Sequence, residues 1–188
     1  MVSVSRYLIS LEKWHQLVET GVFAGEKLEL RGGEIFEVTP IGERHAALTG
    51  YLQKRLERRF GDRAVVFTQN PFEPAPPEPW QLYPDLMLLK PREDFYYHKI
   101  PRAEDVLLLV EIADKSLRED KRRKLEVYAK ARVPEVWLVD VGMKTVTSYS
   151  QPKGSLFATE ALYLYRQPWA PLAFQGESET WLARFEYE

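Results

Sequence analysis

The stretch VLLLVEIADKSLREDKRRKLEVYAKARVPEVWLVD, Val106 to Asp140, decides the architecture. It opens on an apolar run, Val106–Ile112, and closes on another, Glu135–Val141. Continuous apolar runs of this length suit strands buried within a central sheet. Between them the chain is charged, and Leu117, Leu125, Tyr128 and Ala131 fall on one arc of a helix. The spacing predicts a helix over Leu117–Ala131, so the stretch reads strand, helix, strand.

Working outward, Asp85–Leu89 follows Pro84 and reads as a further buried strand. Ala64–Gln69 reads as a strand, and Pro71–Pro79, with five prolines, as a loop or an edge. Val141–Lys144 reads as a turn into a strand over Lys144–Tyr149. His45–Phe60 is predicted helical, because Leu48, Tyr51, Leu52, Leu56 and Phe60 recur at helical spacing. Gly32-Gly33 between the short runs Leu28–Arg31 and Glu34–Val38 predicts a β-hairpin. Leu11–Thr20 reads as a short helix capped by Ser10. The aromatic tail from Ala161 reads as a strand followed by a terminal helix near Ser178–Phe185. The order implies an α/β fold: a central mixed β-sheet flanked by helices, with an N-terminal helix and β-hairpin, in one domain over residues 1–188.

Composition narrows the function classes. With 45% hydrophobic and 13% aromatic residues, the chain can bury a large core. The formal net charge of -2 announces no polyanionic partner, so any nucleic-acid contact must use a local patch. The absence of cysteine excludes disulfides, iron–sulfur sites and thiolate zinc. His15, His45 and His98 are too widely spaced to suggest a zinc site. No apolar run reaches the length of a membrane span, and no signal-peptide core precedes the first helix, so the expectation is a soluble cytoplasmic protein. A nucleophile elbow, a phosphate-binding glycine loop and a dinucleotide fingerprint are all missing.

Two acids break the apolar pattern of the buried strands. Asp85 opens one strand and Glu111 sits near the end of another. A carboxylate inside an apolar strand is costly unless it is paired, hydrogen-bonded or bound to a cation. On adjacent strands the two could share a hard divalent ion such as Mg²⁺, or each could simply cap a strand end or meet an arginine. On the following helix Lys124 and Lys121 fall within the apolar arc, with Asp120 at its edge. A lysine aimed at the sheet needs an anion, so a buried Asp–Glu–Lys cluster is expected.

These residues have a family resemblance. LELRGGEIFEVTP followed by His45, then Pro84-Asp85-Leu86, LLLVEIADKS, the D-x3-K-x3-Y set Asp120, Lys124 and Tyr128 before V-x-E-x-W-L-V-D, and the tail APLAFQGESETWLARF carry it. Together they resemble a large bacterial family of putative restriction endonucleases, abundant in cyanobacteria and long known as a domain of unknown function. It is a branch of the PD-(D/E)XK nuclease superfamily. The resemblance covers nearly the whole chain. It implies a restriction-endonuclease-like fold and Mg²⁺- or Mn²⁺-dependent hydrolysis of phosphodiester bonds in DNA. By the resemblance Asp85 and Glu111 hold the metal, and Lys124, close to Glu111, stabilises the attacking hydroxide or the charge on phosphorus. Glu29, His45, Asp120 and Lys115 are further candidates.

The sequence also departs from the pattern. The superfamily's usual lysine position, two residues after the acid, is Ala113. Ala113-Asp114-Lys115 stands where the family usually carries serine and proline, and Arg132-Val133 where it carries Gly-Val. Arg55, Arg58 and Arg59 on one helix and Arg122 and Arg123 on the other are the candidate nucleic-acid contacts; each set also reads as a solvated helix face. The alternative function is a catalytically degenerate nuclease fold acting as a nucleic-acid-binding or assembly module. The apolar tail (Phe157, Leu162, Tyr163, Tyr165, Trp169, Phe174) suggests a homodimer, since one domain of this size leaves such a surface partly uncovered.

Overall fold

The structure, a computed structural model, describes residues 5–38, 42–113 and 118–187. Among the described residues, three α-helices and nine strands build it: α1 Leu11–Glu19, β1 Leu28–Arg31, β2 Glu34–Glu37, α2 Glu43–Phe60, β3 Val65–Thr68, β4 Trp80–Gln81, β5 Leu86–Leu89, β6 Val106–Ala113, α3 Arg118–Lys130, β7 Glu135–Asp140, β8 Thr145–Lys153 and β9 Leu156–Leu164. Six strands form the central sheet in the order β3-β5-β6-β7-β8-β9. The β6–β7 pair is parallel and the others are antiparallel, so the sheet is mixed, as expected. A parallel pair needs a crossover, and α3 supplies it. The hairpin β1–β2 forms a second, three-stranded sheet with β4. Its turn needs glycine at position 33, where φ is +86° and an added Cβ would lie 2.8 Å from Leu8.

The alternation of strand side chains positions the site. Leu86, Leu88, Leu108, Val110 and Ile112 pack with Leu48, Leu52, Leu56 and Phe60 of α2 on one face. Met87, Leu89 and Leu109 pack with Tyr128 of α3 on the other. Residues two apart on a strand share a face. Asp85 therefore goes with Met87, and Glu111 with Leu109, toward α3. Extending the Leu86↔Val110 register by one pair sets Asp85 opposite Glu111.

The tail differs from expectation. β9 starts at Leu156, and the terminal segment contains only short 3-10 turns, Leu172–Phe174 and Ala183–Phe185, in place of a helix. Bulky rings decide this. Trp169 and Trp181 both drop into the α2 side of the core against Trp137, and Trp181 also packs on Phe60. The Trp181 indole N–H donates to the Trp169 carbonyl at 2.7 Å. The same packing buries Tyr165 and Trp169 within the chain, while Leu162 is 64% exposed. The tail's aromatic content is thus mostly accounted for by its own core. Among the described residues, no helix is long and apolar enough to cross a membrane.

Trp181 closes this face, so Trp181→Ala should lower stability by about 3–5 kcal/mol. Urea denaturation should show a lower midpoint with an unchanged slope.

Candidate active site

Asp85 and Glu111 converge on one ammonium, and it belongs to Lys121. Lys121 Nζ donates to Asp85 Oδ2 at 2.9 Å and, by a shorter bond, to Glu111 Oε2. The remaining oxygens are also engaged. His45 Nε2 donates to Asp85 Oδ1 at 2.8 Å, the Ile112 N–H donates to Asp85 Oδ2 at 2.8 Å, and the Tyr128 hydroxyl donates to Glu111 Oε1 at 2.5 Å. All these side chains are buried, Glu111 completely. Gln69, beside this point, holds a left-handed φ of 52°, uncommon outside glycine. Its N–H donates to the Pro84 and Asp85 carbonyls, tying the end of β3 to the chain at the acid.

Lys124 was expected to reach Glu111; its bond is to Glu29 Oε1, at 2.7 Å. Helix geometry gives the reason. Lys121 and Tyr128 are seven residues apart, about two turns, so their azimuths nearly coincide and both meet Glu111. Lys124, three residues on, is rotated by about 60° and meets the hairpin sheet instead. Glu29 on β1 also accepts from Arg31 Nε at 2.7 Å and from the Tyr83 N–H at 3.1 Å. Three carboxylates (Glu29, Asp85, Glu111) thus face three fixed cations (Arg31, Lys121, Lys124).

Burial pushes the Asp85 carboxyl up, but the Lys121 ammonium and the His45 bond outweigh it and hold Asp85 well below the usual carboxylate range. Burial works against charge on Glu29 as well, and Lys124 and Arg31 reverse it, leaving a lowered value. Desolvation opposes the Lys121 charge, yet Glu111 and Asp85 hold the ammonium protonated far above its ordinary range. Burial, then Glu111, raises the Tyr128 hydroxyl well above its ordinary value, so it remains a donor.

A cavity of about 320 Å³ opens onto this cluster. The hairpin supplies one wall, with Glu29, Arg31 and Phe36; Gln69, Tyr83 and His45 line it further, and Asp85, Lys121 and Lys124 face into it. The Arg31 guanidinium lies 5.1 Å from the Phe36 ring centroid. Among the described residues, no group of three or more His, Asp or Glu side chains is arranged to hold a metal ion.

Lys115 and the side chain of Asp120 lie outside what the structure describes. Arg55 donates to Glu179, and Arg59 pairs with Glu177 and Glu179, so the tail's carboxylates already engage these guanidiniums. Arg58, Arg122 and Arg123 are exposed. Sequence reading undervalued Lys121, although it shares the inward arc with Lys124. It passed over Arg31, whose signal was its place two residues after Glu29 on the same strand face, and Tyr83, which contributes a backbone N–H that no side-chain pattern reports.

The fold is similar to that of a putative nuclease belonging to DUF820 from Anabaena variabilis ATCC 29413, with a TM-score of 0.63 and 14% identity over 94% of this chain and 92% of that one. The chain belongs to the Uma2 family, described as "Putative restriction endonuclease", which matches residues 11–183. No curated protein matches its sequence.

The ion pairs make stability depend on pH at both ends. Asp85 and Glu29 are depressed, so their contribution is present above the unfolded-state value near pH 4 and is lost as pH falls toward their folded values. Lys121 is raised, so its contribution is present below about pH 10 and is lost above. Denaturation across pH should show both limbs. Asp85→Asn should flatten the acid limb and cost about 3 kcal/mol at pH 7.

Proposed function

We propose that this protein is a metal-dependent nuclease hydrolysing phosphodiester bonds in DNA. The observation that carries the reading is the convergence of two buried strand-end carboxylates, Asp85 and Glu111, on a cation at the floor of a cavity. Family membership supports it. The donor set fits a hard divalent ion: both acids offer oxygens, and the position between them already stabilises positive charge. Asp85 and Glu111 would hold Mg²⁺ or Mn²⁺, which when bound polarises a phosphate oxygen and acidifies a water.

The protein's own residues supply the rest. Lys121 takes the role first expected of Lys124, as the ammonium that stabilises charge developing on the phosphate. It reaches the acids from the helix, where Ala113 leaves the strand position without a lysine. Lys124 and Arg31, oriented by Glu29, are the cations placed to contact a phosphodiester in the cavity, whose lining also includes Lys27, Glu26 and Glu37. His45 and Tyr128 act as positioning residues, each fixing one carboxylate oxygen. Arg122 and Arg123, exposed on α3, are candidates for flanking phosphate contacts.

The test is cleavage of plasmid and single-stranded DNA with Mg²⁺ or Mn²⁺. Cleavage should require the metal and vanish in Asp85→Ala. Lys121→Ala should lose roughly 10²–10³ in rate. Retained DNA binding with no cleavage under any metal condition would instead identify a binding module on a nuclease fold.

A further inference from the structure

We infer that Lys121 is an internal competitor for the metal position, so that a divalent ion and a polyanionic strand bind this site cooperatively. The inference rests on the nuclease reading and adds how that site is regulated. Its ammonium bonds one oxygen of each acid, Asp85 Oδ2 and Glu111 Oε2. The other two oxygens are taken by His45 and Tyr128. Each of these oxygens has two lone pairs, but a divalent ion bridging the two acids needs the position between them, and the Lys121 ammonium occupies it. Lys121 is the group able to yield: it is a point charge on a flexible four-carbon stem, and it faces the cavity. Tyr128 is a ring packed in the interior, and His45, which also lines the cavity, is a buried ring on a short stem from α2 with little room to withdraw.

Displacement has a cost set by what the released ammonium meets. Lys124 and Arg31 line the same cavity, and Glu29 is committed to both. Lys27 and the exposed acids Glu26 and Glu37 line it too, so a released ammonium trades two buried carboxylates for a wall whose charges already balance. A phosphodiester in the cavity reverses this, because it offers the ammonium an anionic partner. Metal entry then becomes easier when the strand is present. By linkage the strand also binds more tightly when the metal is present, by the same factor. The free protein keeps its acids neutralised by its own lysine, and the metal is taken up together with substrate.

The experiment measures Mn²⁺ affinity by electron paramagnetic resonance of the free ion, with and without a phosphorothioate oligonucleotide. Wild type, Lys121→Met, Lys124→Met and Asp85→Asn are compared. Asp85→Asn with the same oligonucleotide corrects for Mn²⁺ held by the oligonucleotide itself. Lys121→Met should bind Mn²⁺ at least about 10-fold more tightly than wild type, within the usual range of site coupling. Lys124→Met removes the same charge but frees no oxygen of Asp85 or Glu111, and should gain less. The oligonucleotide should tighten Mn²⁺ binding to wild type and hardly change it in Lys121→Met.

If Lys121→Met binds Mn²⁺ no better than wild type while Asp85→Asn abolishes binding, the competitor role is overturned and the nuclease reading stands. If neither wild type nor Lys121→Met binds Mn²⁺, with or without oligonucleotide, the nuclease reading falls and the inference with it. Should circular dichroism show Lys121→Met unfolded, wild type decides: tightening by the oligonucleotide supports the inference and its absence overturns it.

Discussion

One ammonium between two buried carboxylates organises this molecule. Lys121 joins the ends of two central strands to the helix that crosses over them. Leaving either Asp85 or Glu111 without it would strand a charge in a region with little access to water, which is far more costly than losing a surface pair. The same contact dictates the rotation of α3. Because Lys121 faces the acids, Tyr128 two turns later faces Glu111, and Lys124 is turned toward the hairpin. The orientation of the helix and the composition of the cavity wall are therefore set together.

The second charged group, Glu29 with Arg31 and Lys124, ties the small hairpin sheet to α3 across the cavity. Without it the hairpin would meet the rest of the fold mainly through the short β1–β4 pairing and the contacts of α1. The two groups share a cavity but have separate partners, and this division distinguishes the lysines chemically. Lys121 neutralises the two buried strand-end acids. Lys124 is held by an acid that also holds an arginine, and so remains a fixed positive element of the wall.

The remaining surface follows from how its charges are spent. The guanidinium row along α2 and just beyond its end looks like a polyanion-binding face when that segment is considered alone. In the folded chain, Glu177 and Glu179 of the tail lie against it, and Arg55, Arg59 and Arg63 pair with them. Those pairs help fasten a tail that has no regular helix and is anchored by Trp169 and Trp181. A charge run read from one element cannot report a partner more than a hundred residues away in the chain.

Much of the fold and part of the site were legible in the sequence, for identifiable reasons. Strand and helix periodicity is local, so the hairpin around Gly32-Gly33, the strands at Asp85–Leu89 and Val106–Ile112, and the inward arc of α3 could be read directly. The acids stood out because burial of an unpaired carboxylate is expensive, which makes Asp85 and Glu111 conspicuous in apolar strands. Which lysine meets which acid was not legible. Lys121 and Lys124 share one arc, and choosing between them needs a rotation of about 60°, set by packing against two different sheets. The tail's conformation was equally hidden, because Trp169 and Trp181 are placed by the shape of a core that the other strands and α2 build. The sequence alone determined the elements and the anomalous charges, through local geometry and solvation cost; only the tertiary structure decided their pairing, because partners such as Glu29 and Lys124 are brought together by the fold and by nothing in the chain between them.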